Sequence, residues 1–449
     1  MEQKEVTLSI DNNKYEIALI EFFSVLLIVS AFFTTRYLML VLAIVQCCYI
    51  LQKKDMQCCI ALFFFMLPFS NIYNLGSSSM LLLLKIAFIV RYFLHSKLIR
   101  TNVFLSISVF AVYSLAGIAF GSCGMTGIMR LINILLWTLT CYIFVKSIEE
   151  DSFILIGKNF VRALLVAGLV ALVSDYIPGM KDMLTSTTIN MTERRFSGLW
   201  NDPNTFSVFM GIGLSIVFLF YSYRIIKVRE FSIYAIALSI LSLLSFSKMC
   251  LFIVMLIWMA MLFINKKINW VQKFIIIACI VLLIFTVYYY ASDILNVYML
   301  RFLKDSASGY SLDSLTTNRY SLWISYIQSL NDNWISWLVG NGMGCELPGG
   351  RAAHQTILQI IYNIGIIGFI LWMAMICSVL KDIRFLYNKK DTAINITTKM
   401  ISIFPLLIFI VSTMFLDYFF IESTYFLIFL SGMIYVGLIN WNASWEYME

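Results

Sequence analysis

The sequence is poor in charged residues. Its 449 residues include 32 Lys or Arg and 25 Asp or Glu, so 13% are charged, about half of the roughly 25% that a soluble domain carries. Apolar residues make up 61% of the chain. This composition excludes a soluble enzyme, a disordered chain and a small secreted module built on disulfides.

The sequence also lacks the short motifs of common nucleotide-dependent and metal-dependent enzymes. It contains no GxxxxGK[ST] loop, no HExxH pair, no DxD pair and no GxSxG turn. The glycine-rich run 340–344 follows no predicted strand, so a plain turn is a better interpretation than a dinucleotide-binding loop. We therefore expect a reaction that uses neither a metal ion nor another cofactor.

What the sequence does contain is a series of long apolar runs. Crossing about 30 Å of hydrocarbon takes about 20 apolar residues in a helix, and hydropathy predicts fourteen candidate spans. Their predicted bounds are 17–35, 37–51, 58–74, 78–94, 103–120, 127–146, 153–176, 204–222, 231–246, 248–264, 274–292, 354–380, 400–416 and 420–439.

Some neighbouring runs are separated by very short turns, around Arg36, Ser247 and Phe419, and each such pair could be one re-entrant element. We therefore expect an all-α fold: a polytopic helical membrane protein with about 12 to 14 transmembrane helices, since only helices satisfy their own backbone in lipid. No linker divides the chain, so residues 1–449 are expected to form a single integral membrane domain.

The distribution of Lys and Arg predicts the orientation of the spans, because positively charged short loops resist translocation. Basic residues fill alternate turns of the predicted map: Lys53, Lys54, Lys97, Arg100, Arg224, Lys227, Arg229, Lys266, Lys267, Lys273, Lys381, Arg384, Lys389, Lys390 and Lys399. We expect these turns and both termini to face the cytoplasm. The net charge of +7 is then explained by membrane orientation rather than by nucleic-acid binding.

Two long polar segments, 177–203 and 293–353, are consequently expected on the outer face. Loops of this length usually carry function or are disordered. The second, the large extracytoplasmic loop, contains Trp323, Trp334 and Trp337 at helix-like spacing. This spacing predicts a folded segment at the membrane interface.

The chain has two histidines. His95 lies among basic residues at a predicted cytoplasmic helix end, where a solvated cation is the expected role. His354 follows a turn, Pro348 to Gly350, and precedes a long apolar run at the outer face. It is either a polar residue of the interface or a catalytic base, and its residue type alone leaves both interpretations open.

Five basic residues are predicted on the outer face, against the positive-inside tendency. They are Arg194, Arg195, Lys248, Arg319 and Arg351. Arg194 and Arg195 precede the turn 201–204, in which Asn204 is suited to cap the next helix. Each base is either an anchor for lipid headgroups or part of an anion site at a helix N-terminus. Arg130, near the outer end of its span, could extend such a site.

Lys85 and Arg162 are predicted inside spans. A charge there costs about 2.5 to 3.5 kcal/mol on insertion scales, so each needs a polar partner or a wet cavity. We expect both to form structural pairs, with Glu21 and Asp175 among the possible partners.

The string RFSGLWNDPN, from Arg195 to Asn204, resembles the arginine-glycine-proline-asparagine signature of the O-antigen ligase and polymerase superfamily. Ser247 with Lys248 is similar to a serine-arginine pair of that family, although lysine lacks the bidentate fork of arginine. A further stretch resembles the family's large outer loop and following helix through Asn318, Arg319, Trp323, Gly340, Gly342, Gly344, His354, Leu358, Gly365 and Gly368. Gln355 stands where the family often has asparagine. The resemblance covers about residues 195–370.

The resemblance implies transfer of a glycan from a polyprenyl diphosphate carrier on the outer face of the bacterial cytoplasmic (inner) membrane. His354 would be the general base, and Arg195 and Arg319 would stabilise the leaving diphosphate. Further substrate contacts would come from Arg194, Lys248, Arg351, Asn204 and Arg130. The implied partners are undecaprenyl-diphosphate-linked oligosaccharides as donor and acceptor, membrane lipids, a chain-length regulator and a flippase, with no nucleic acid.

Two functions fit within that family, and one lies outside it. A polysaccharide polymerase, which joins carrier-linked repeat units, is favoured here because the predicted spans are many and the motifs loose. A ligase would instead transfer the glycan to a lipid core sugar. A lipid-linked oligosaccharide flippase is the alternative of another class, but transporters usually show paired halves with matching midplane charges.

Overall fold

A computed structural model describes residues 2–75, 78–95, 101–121, 124–149, 152–180, 196–200, 202–245, 247–264, 270–271, 273–274, 319–347, 350–387, 402–414, 416–420 and 422–445. Within these ranges the α-helices are α1 (Glu2–Phe33), α2 (Tyr37–Gln52), α3 (Met56–Met66), α4 (Leu81–His95), α5 (Thr101–Phe120), α6 (Gly124–Ser147), α7 (Ser152–Leu172), α8 (Pro203–Ser222), α9 (Val228–Leu243), α10 (Lys248–Ile264), α11 (Arg319–Asn331), α12 (Ile335–Val339), α13 (Thr356–Tyr387), α14 (Phe404–Thr413) and α15 (Glu422–Trp445).

The predicted all-α class is confirmed. Strand structure in the described ranges is limited to β1 (Asn74–Leu75) and β2 (Ser78–Ser79), which pair antiparallel as a two-residue hairpin. A helix occupies each predicted span except 274–292, which lies outside the described residues apart from Phe274. The pairs around Arg36, Ser247 and Phe419 are separate helices joined by short turns.

Six of the described helices are long and apolar enough to cross a membrane: Tyr15–Phe33, Asn102–Phe120, Gly124–Ser147, Ser152–Leu172, Pro203–Ser222 and Thr356–Lys381. Shorter apolar helices run over Tyr37–Gln52, Met56–Phe69, Met249–Ala260, Phe404–Thr413 and Tyr425–Ile439. The protein is therefore a multi-pass helical membrane protein. Its most enclosed long helix is α8, whose apolar window is 89% buried, whereas that of α5 is 22% buried, so α8 lies at the centre of the bundle and α5 at its edge.

The two ends of the bundle are distinguished by the turns that meet there. Tyr223, at the end of α8, hydrogen-bonds Ser402, just before α14, with 2.7 Å between the hydroxyl oxygens. Since α8 and α14 pack against each other, they run antiparallel, and the start of α8 lies near the end of α14. We call the end with the start of α8 and the end of α14 the site end, and the other the opposite end.

The opposite end carries basic residues that the sequence predicted on one face. Lys53 forms an ion pair of 2.5 Å with Glu16, and Arg91 donates a hydrogen bond of 3.1 Å to the Lys54 carbonyl. Arg229, in the first turn of α9, is exposed. The described turns of this end therefore have the basic character that the orientation argument requires.

The charges predicted inside spans do have polar partners. Arg162 forms an ion pair of 3.3 Å with Glu21, which confirms one of the expected pairings between α7 and α1. Lys85 is fully buried, and its ammonium donates a hydrogen bond of 3.0 Å to the Asn133 side chain of α6. Both bases hold helices together within the bundle.

Candidate functional site

The turn before α8 is shaped by a glycine and an aspartate. Gly198 has a φ of 61°, a conformation that favours glycine, and a Cβ at this position would overlap the Phe206 ring. Asp202 then caps α8, because its side chain accepts from the backbone N–H groups of Asn204 at 3.1 Å and Thr205 at 3.2 Å. These contacts give a physical reason for the glycine and the aspartate of the string from Arg195 to Asn204.

Asn204 is not the helix cap that the sequence analysis predicted. Pro203 takes the first helical position, where its missing N–H costs nothing, so the cap must be the residue before it, Asp202. Asn204 instead accepts a hydrogen bond of 2.8 Å from the Ser247 hydroxyl. The Asn204 side chain thereby joins the start of α8 to the turn between α9 and α10.

Ser247 is followed by Lys248, the first residue of α10. The Ser247 hydroxyl also accepts from the Cys250 backbone N–H at 3.4 Å, and Ser245 accepts from the Ser247 N–H at 3.2 Å. The backbone at Lys248 is therefore fixed beside the start of α8. The contacts of the Lys248 side chain lie outside the described residues.

The backbone just before His354 is held by side chains from two helices. Trp323 of α11 donates an indole hydrogen bond of 2.9 Å to the Ala353 carbonyl, and Tyr326 donates one of 2.6 Å to the Arg351 carbonyl. Gln359 of α13 accepts from the Ala353 N–H at 2.7 Å. Residues 319–347 of the second polar segment are therefore folded through α11 and α12, as the tryptophan spacing predicted.

His354 itself adopts a φ of 51°, which is uncommon for a residue other than glycine. Such a conformation costs of order 1 to 3 kcal/mol and persists only where surrounding contacts impose it. The contacts at residues 351 and 353 impose it here and leave the His354 side chain exposed in part. A strained, partly exposed histidine held by a rigid frame is suited to a functional role.

The His354 imidazole lies in the field of two charged residues from different segments. Burial of the rest of the ring lowers the pKa of His354 below its usual value, the Arg319 charge lowers it further, and the Asp202 charge raises it. The imidazole is therefore mainly neutral at pH 7 and able to accept a proton.

Arg319 is the first residue of α11 and provides the cation of this group. Burial lowers the pKa of Arg319, and the Asp202 carboxylate opposes that effect. An arginine stays protonated through such a shift. The structure thus brings together Arg319 and His354, two of the three residues expected to be catalytic, and adds Asp202 as the anion between the two segments.

The other predicted bases have different outcomes. Arg194 and Arg195 lie outside the described residues, although Phe196, which follows Arg195, is fixed at the site end by a backbone hydrogen bond of 3.3 Å to the Leu244 carbonyl. Arg351 is exposed, and no hydrogen bond or ion pair joins its guanidinium to the rest of the described chain. The structure therefore does not bring Arg351 into the group around His354.

A third segment, 416–420, completes the site end. Thr356, two residues after His354, donates a hydroxyl hydrogen bond of 2.6 Å to the Leu416 carbonyl and accepts one of 3.1 Å from the Tyr418 N–H. Burial raises the pKa of the Tyr418 phenol, and the charge of Asp202 acts in the same direction. The turn between α14 and α15 is thus bound to the start of α13 and lies near the start of α8.

Asp417 was missed by sequence reasoning. Burial raises the pKa of this carboxyl to about 6, while the Phe419 N–H and the Arg130 charge lower it and the Glu346 charge raises it. A titratable group perturbed by burial and by specific charges is typical of functional sites. An acidic residue in a very short turn between two apolar runs was the available signal.

Arg130 does not form the open anion site that the sequence suggested. Its guanidinium pairs with Glu346 at 3.1 Å, donates to the Gly344 carbonyl at 3.3 Å and lies 4.1 Å above the centre of the Phe420 ring. With Asp417 nearby, one arginine faces two carboxylates. The excess negative charge would repel a diphosphate, so a direct phosphate contact through Arg130 is not favoured.

The glycine-rich run 340–344 packs against a break in α13. Gly365 has a φ of 68°, and no side chain fits there because the Leu338 carbonyl occupies the space. The carbonyls freed by the break accept hydrogen bonds from the Asn341 N–H at 2.9 Å and the Gly342 N–H at 3.0 Å. The run contains a turn, as predicted, closed by a hydrogen bond of 3.2 Å from the Cys345 N–H to the Gly342 carbonyl, and it also braces the half-helix that follows His354.

A cavity lies on the other side of this brace. It has a volume of about 430 Å³ and lies between α5 and α12, where its lining includes Tyr113, Phe120, Asn333, Val339 and Asn341. Neither His354 nor Arg319 lines it. Among the described residues, no group of three His, Cys, Asp or Glu side chains could hold a metal ion.

No family model matches the chain, and neither a curated protein nor a solved structure does. The case for a function therefore depends on the site itself: a neutral imidazole, a buried guanidinium and an aspartate contributed by two segments distant in sequence.

Proposed function

We propose that this protein is a polysaccharide polymerase, a glycosyltransferase that moves a polyprenyl-diphosphate-linked glycan onto an acceptor carrier-linked repeat unit. The observation that carries the proposal is the meeting of Asp202, Arg319 and His354, since it joins the segment after Arg195 to the segment before α13. The resemblance to the O-antigen ligase and polymerase superfamily supports it through the same residues.

The group supports a single displacement. The acceptor hydroxyl oxygen attacks the anomeric carbon, and its proton moves to the neutral His354 imidazole. The bond from that carbon to the diphosphate oxygen breaks, and the electron pair leaves with the diphosphate. General-base catalysis of this kind typically contributes roughly 10²- to 10⁴-fold to the rate. The anomeric centre would be inverted.

The leaving diphosphate gains negative charge as the bond breaks. Arg319 lies beside His354 and is partly enclosed, so its attraction for an anion is stronger than it would be in water. Arg195, with Arg194 beside it in the sequence, would supply further guanidinium groups for the diphosphate. Lys248 would provide a further positive charge at the edge of the diphosphate site.

The proposal assigns the site end to the outer face of the bacterial cytoplasmic membrane. The basic turns at the opposite end, with Lys53, Lys54, Arg91 and Arg229, support a cytoplasmic location for that end. The donor and acceptor would then be undecaprenyl-diphosphate-linked oligosaccharides delivered by a flippase, with a chain-length regulator as a further partner.

Reconstitution tests the proposal. Purified protein in proteoliposomes is mixed with carrier-linked repeat units extracted from cells that lack it, with EDTA and without an energy source or flippase. Growth of glycan chains on the carrier supports a polymerase. Transfer only when a lipid core acceptor is added would instead indicate a ligase, and movement of the lipid across the bilayer without a new glycosidic bond would indicate a flippase.

A further inference from the structure

Arg130 contacts two segments that flank His354 in space. On one side it pairs with Glu346 at 3.1 Å and donates to the Gly344 carbonyl at 3.3 Å. On the other side its guanidinium covers the Phe420 ring, with 4.1 Å between the guanidinium carbon and the ring centre. One side chain of α6 therefore joins the segment 344–346 to the segment 416–420.

Both segments lead directly to His354. Gly344 donates its N–H to the Asn363 side chain at 2.6 Å, which fixes the segment 344–346 against the half-helix that begins after His354. The segment 416–420 is bound at the start of that half-helix by the two hydrogen bonds of Thr356. A shift of either segment would therefore move the imidazole relative to Arg319 and Asp202.

We propose that Arg130 is a positioning residue, whose guanidinium clamps the segments 344–346 and 416–420 together and so holds His354 in its catalytic place. The inference rests on the proposed function for the reaction it serves. This role replaces the one in diphosphate binding that the sequence suggested. The Arg130 cation is already paired with Glu346, and the Asp417 carboxylate adds a second negative charge near it.

The clamp contains a titratable group. The pKa of Asp417 is raised to about 6 by burial, lowered by Arg130 and raised by Glu346. Among the described residues, the other titratable groups that interact with this carboxylate are the Tyr326 and Tyr425 phenols. Burial raises the pKa of Tyr326, so that phenol stays protonated near neutral pH. We expect the ionised carboxylate to be the form that holds Arg130, so activity should fall as pH drops through about 6.

Two substitutions should change this fall of activity at low pH, the acid limb, in different ways. Glu346→Gln removes a neighbouring negative charge but keeps an oxygen for Arg130, so the pKa of Asp417 falls and the limb moves to lower pH. Arg130→Gln removes the cation that the Asp417 carboxylate holds, so the part of the limb that comes from Asp417 should be lost. The charges that shift the pKa of His354 are those of Arg319 and Asp202, so a change of the limb in these two variants is assigned to Asp417.

The experiment measures kcat and KM for chain growth between pH 5 and 8 in proteoliposomes with extracted carrier-linked repeat units. Arg130→Gln should lower kcat about 10- to 100-fold with little change in KM, since a displaced catalytic group costs rate rather than binding. Arg130→Lys keeps the positive charge but loses the planar guanidinium that contacts both segments, so kcat should fall while the pH at which activity is lost stays the same. Arg162→Gln, which breaks an ion pair away from the site, is the matched control: it should lower protein abundance without moving the limb.

A readout that needs no activity separates this inference from the proposed function. A raised carboxyl pKa in the folded protein makes stability fall as pH rises from the unfolded value, about 4, to about 6. Thermal unfolding in detergent should show this loss of stability with rising pH in the wild type. The loss should be smaller in Glu346→Gln, and the contribution of residue 417 should be absent in Asp417→Asn. If an active wild type, Arg130→Gln and Glu346→Gln all lost activity at the same low pH, the clamp would be overturned. If the wild type were inactive but showed the expected unfolding profile, only the polymerase assignment would be overturned.

Discussion

The carboxylate of Asp202 acts on the imidazole of His354 although five described helices, α8 to α12, lie between the two residues in the chain. Arg319 interacts with both of them. The meeting of these residues is the physical basis for assigning chemistry to one end of an otherwise apolar bundle.

Replacement of His354 by alanine should abolish polymer while membrane abundance stays near that of the wild type. The His354 side chain is exposed in part, so its loss leaves no large cavity, whereas the reaction loses its base. Polymer length on gels and protein amount by blotting measure the two effects.

His95 provides a matched control, because it is the second histidine of the chain and lies exposed at the end of α4 at the opposite end. His95→Ala should leave polymer unchanged. If polymer in His354→Ala fell only in proportion to protein abundance, the assignment of His354 as base would be wrong.

Replacement of Arg195 by lysine should lower turnover far more than it would if Arg195 contributed only its positive charge. Lysine keeps the charge but cannot offer the planar fork that binds two phosphate oxygens. Initial rates of chain growth measure the effect. Arg229→Lys, at an exposed site of the opposite end, is the control and should be neutral; an equally neutral Arg195→Lys would argue against a direct diphosphate contact.

Replacement of Gly365 by alanine should destabilise the protein strongly and disturb the site. The φ of 68° is unfavourable for alanine, and the added Cβ would overlap the Leu338 carbonyl. The melting temperature in detergent and the protein yield measure this effect.

Gly117 of α5 is the control for that substitution, since a Cβ there would meet nothing within 4 Å. Gly117→Ala should be neutral or stabilising by up to about 1 kcal/mol, because alanine is the better helix former. Similar losses of stability in both variants would show that the close approach of the Leu338 carbonyl to Gly365 is not the cause of the destabilisation.

Much of the helical layout was predictable because lipid demands long apolar helices with internally satisfied backbones. The pairing of Arg162 with Glu21 was also among the expected solutions, since a charge inside a span needs a partner. The break in α13 at Gly365 was not predicted, because its freed carbonyls are satisfied by the glycine-rich run through contacts that hydropathy does not record.

The site was only partly predictable. The shift of the helix cap from Asn204 to Asp202 follows from the requirement of Pro203 for the first helical position, so that error was avoidable. The role of Arg130 was not, because its partners Glu346 and Phe420 come from distant segments that nothing in the sequence pairs. Asp417 gave too weak a signal, as a single carboxylate between two apolar runs.

The most direct measurement is an NMR titration of the two histidines in isotope-labelled, full-length protein, with His95→Ala used to assign the remaining signal to His354. The account predicts a His354 pKa below its usual value of about 6.5, raised when Arg319→Gln removes a positive neighbour and lowered further when Asp202→Asn removes a negative one but keeps the helix cap. A His354 pKa near 6.5 that neither substitution changes would show that the two segments do not meet, and would contradict the proposed site.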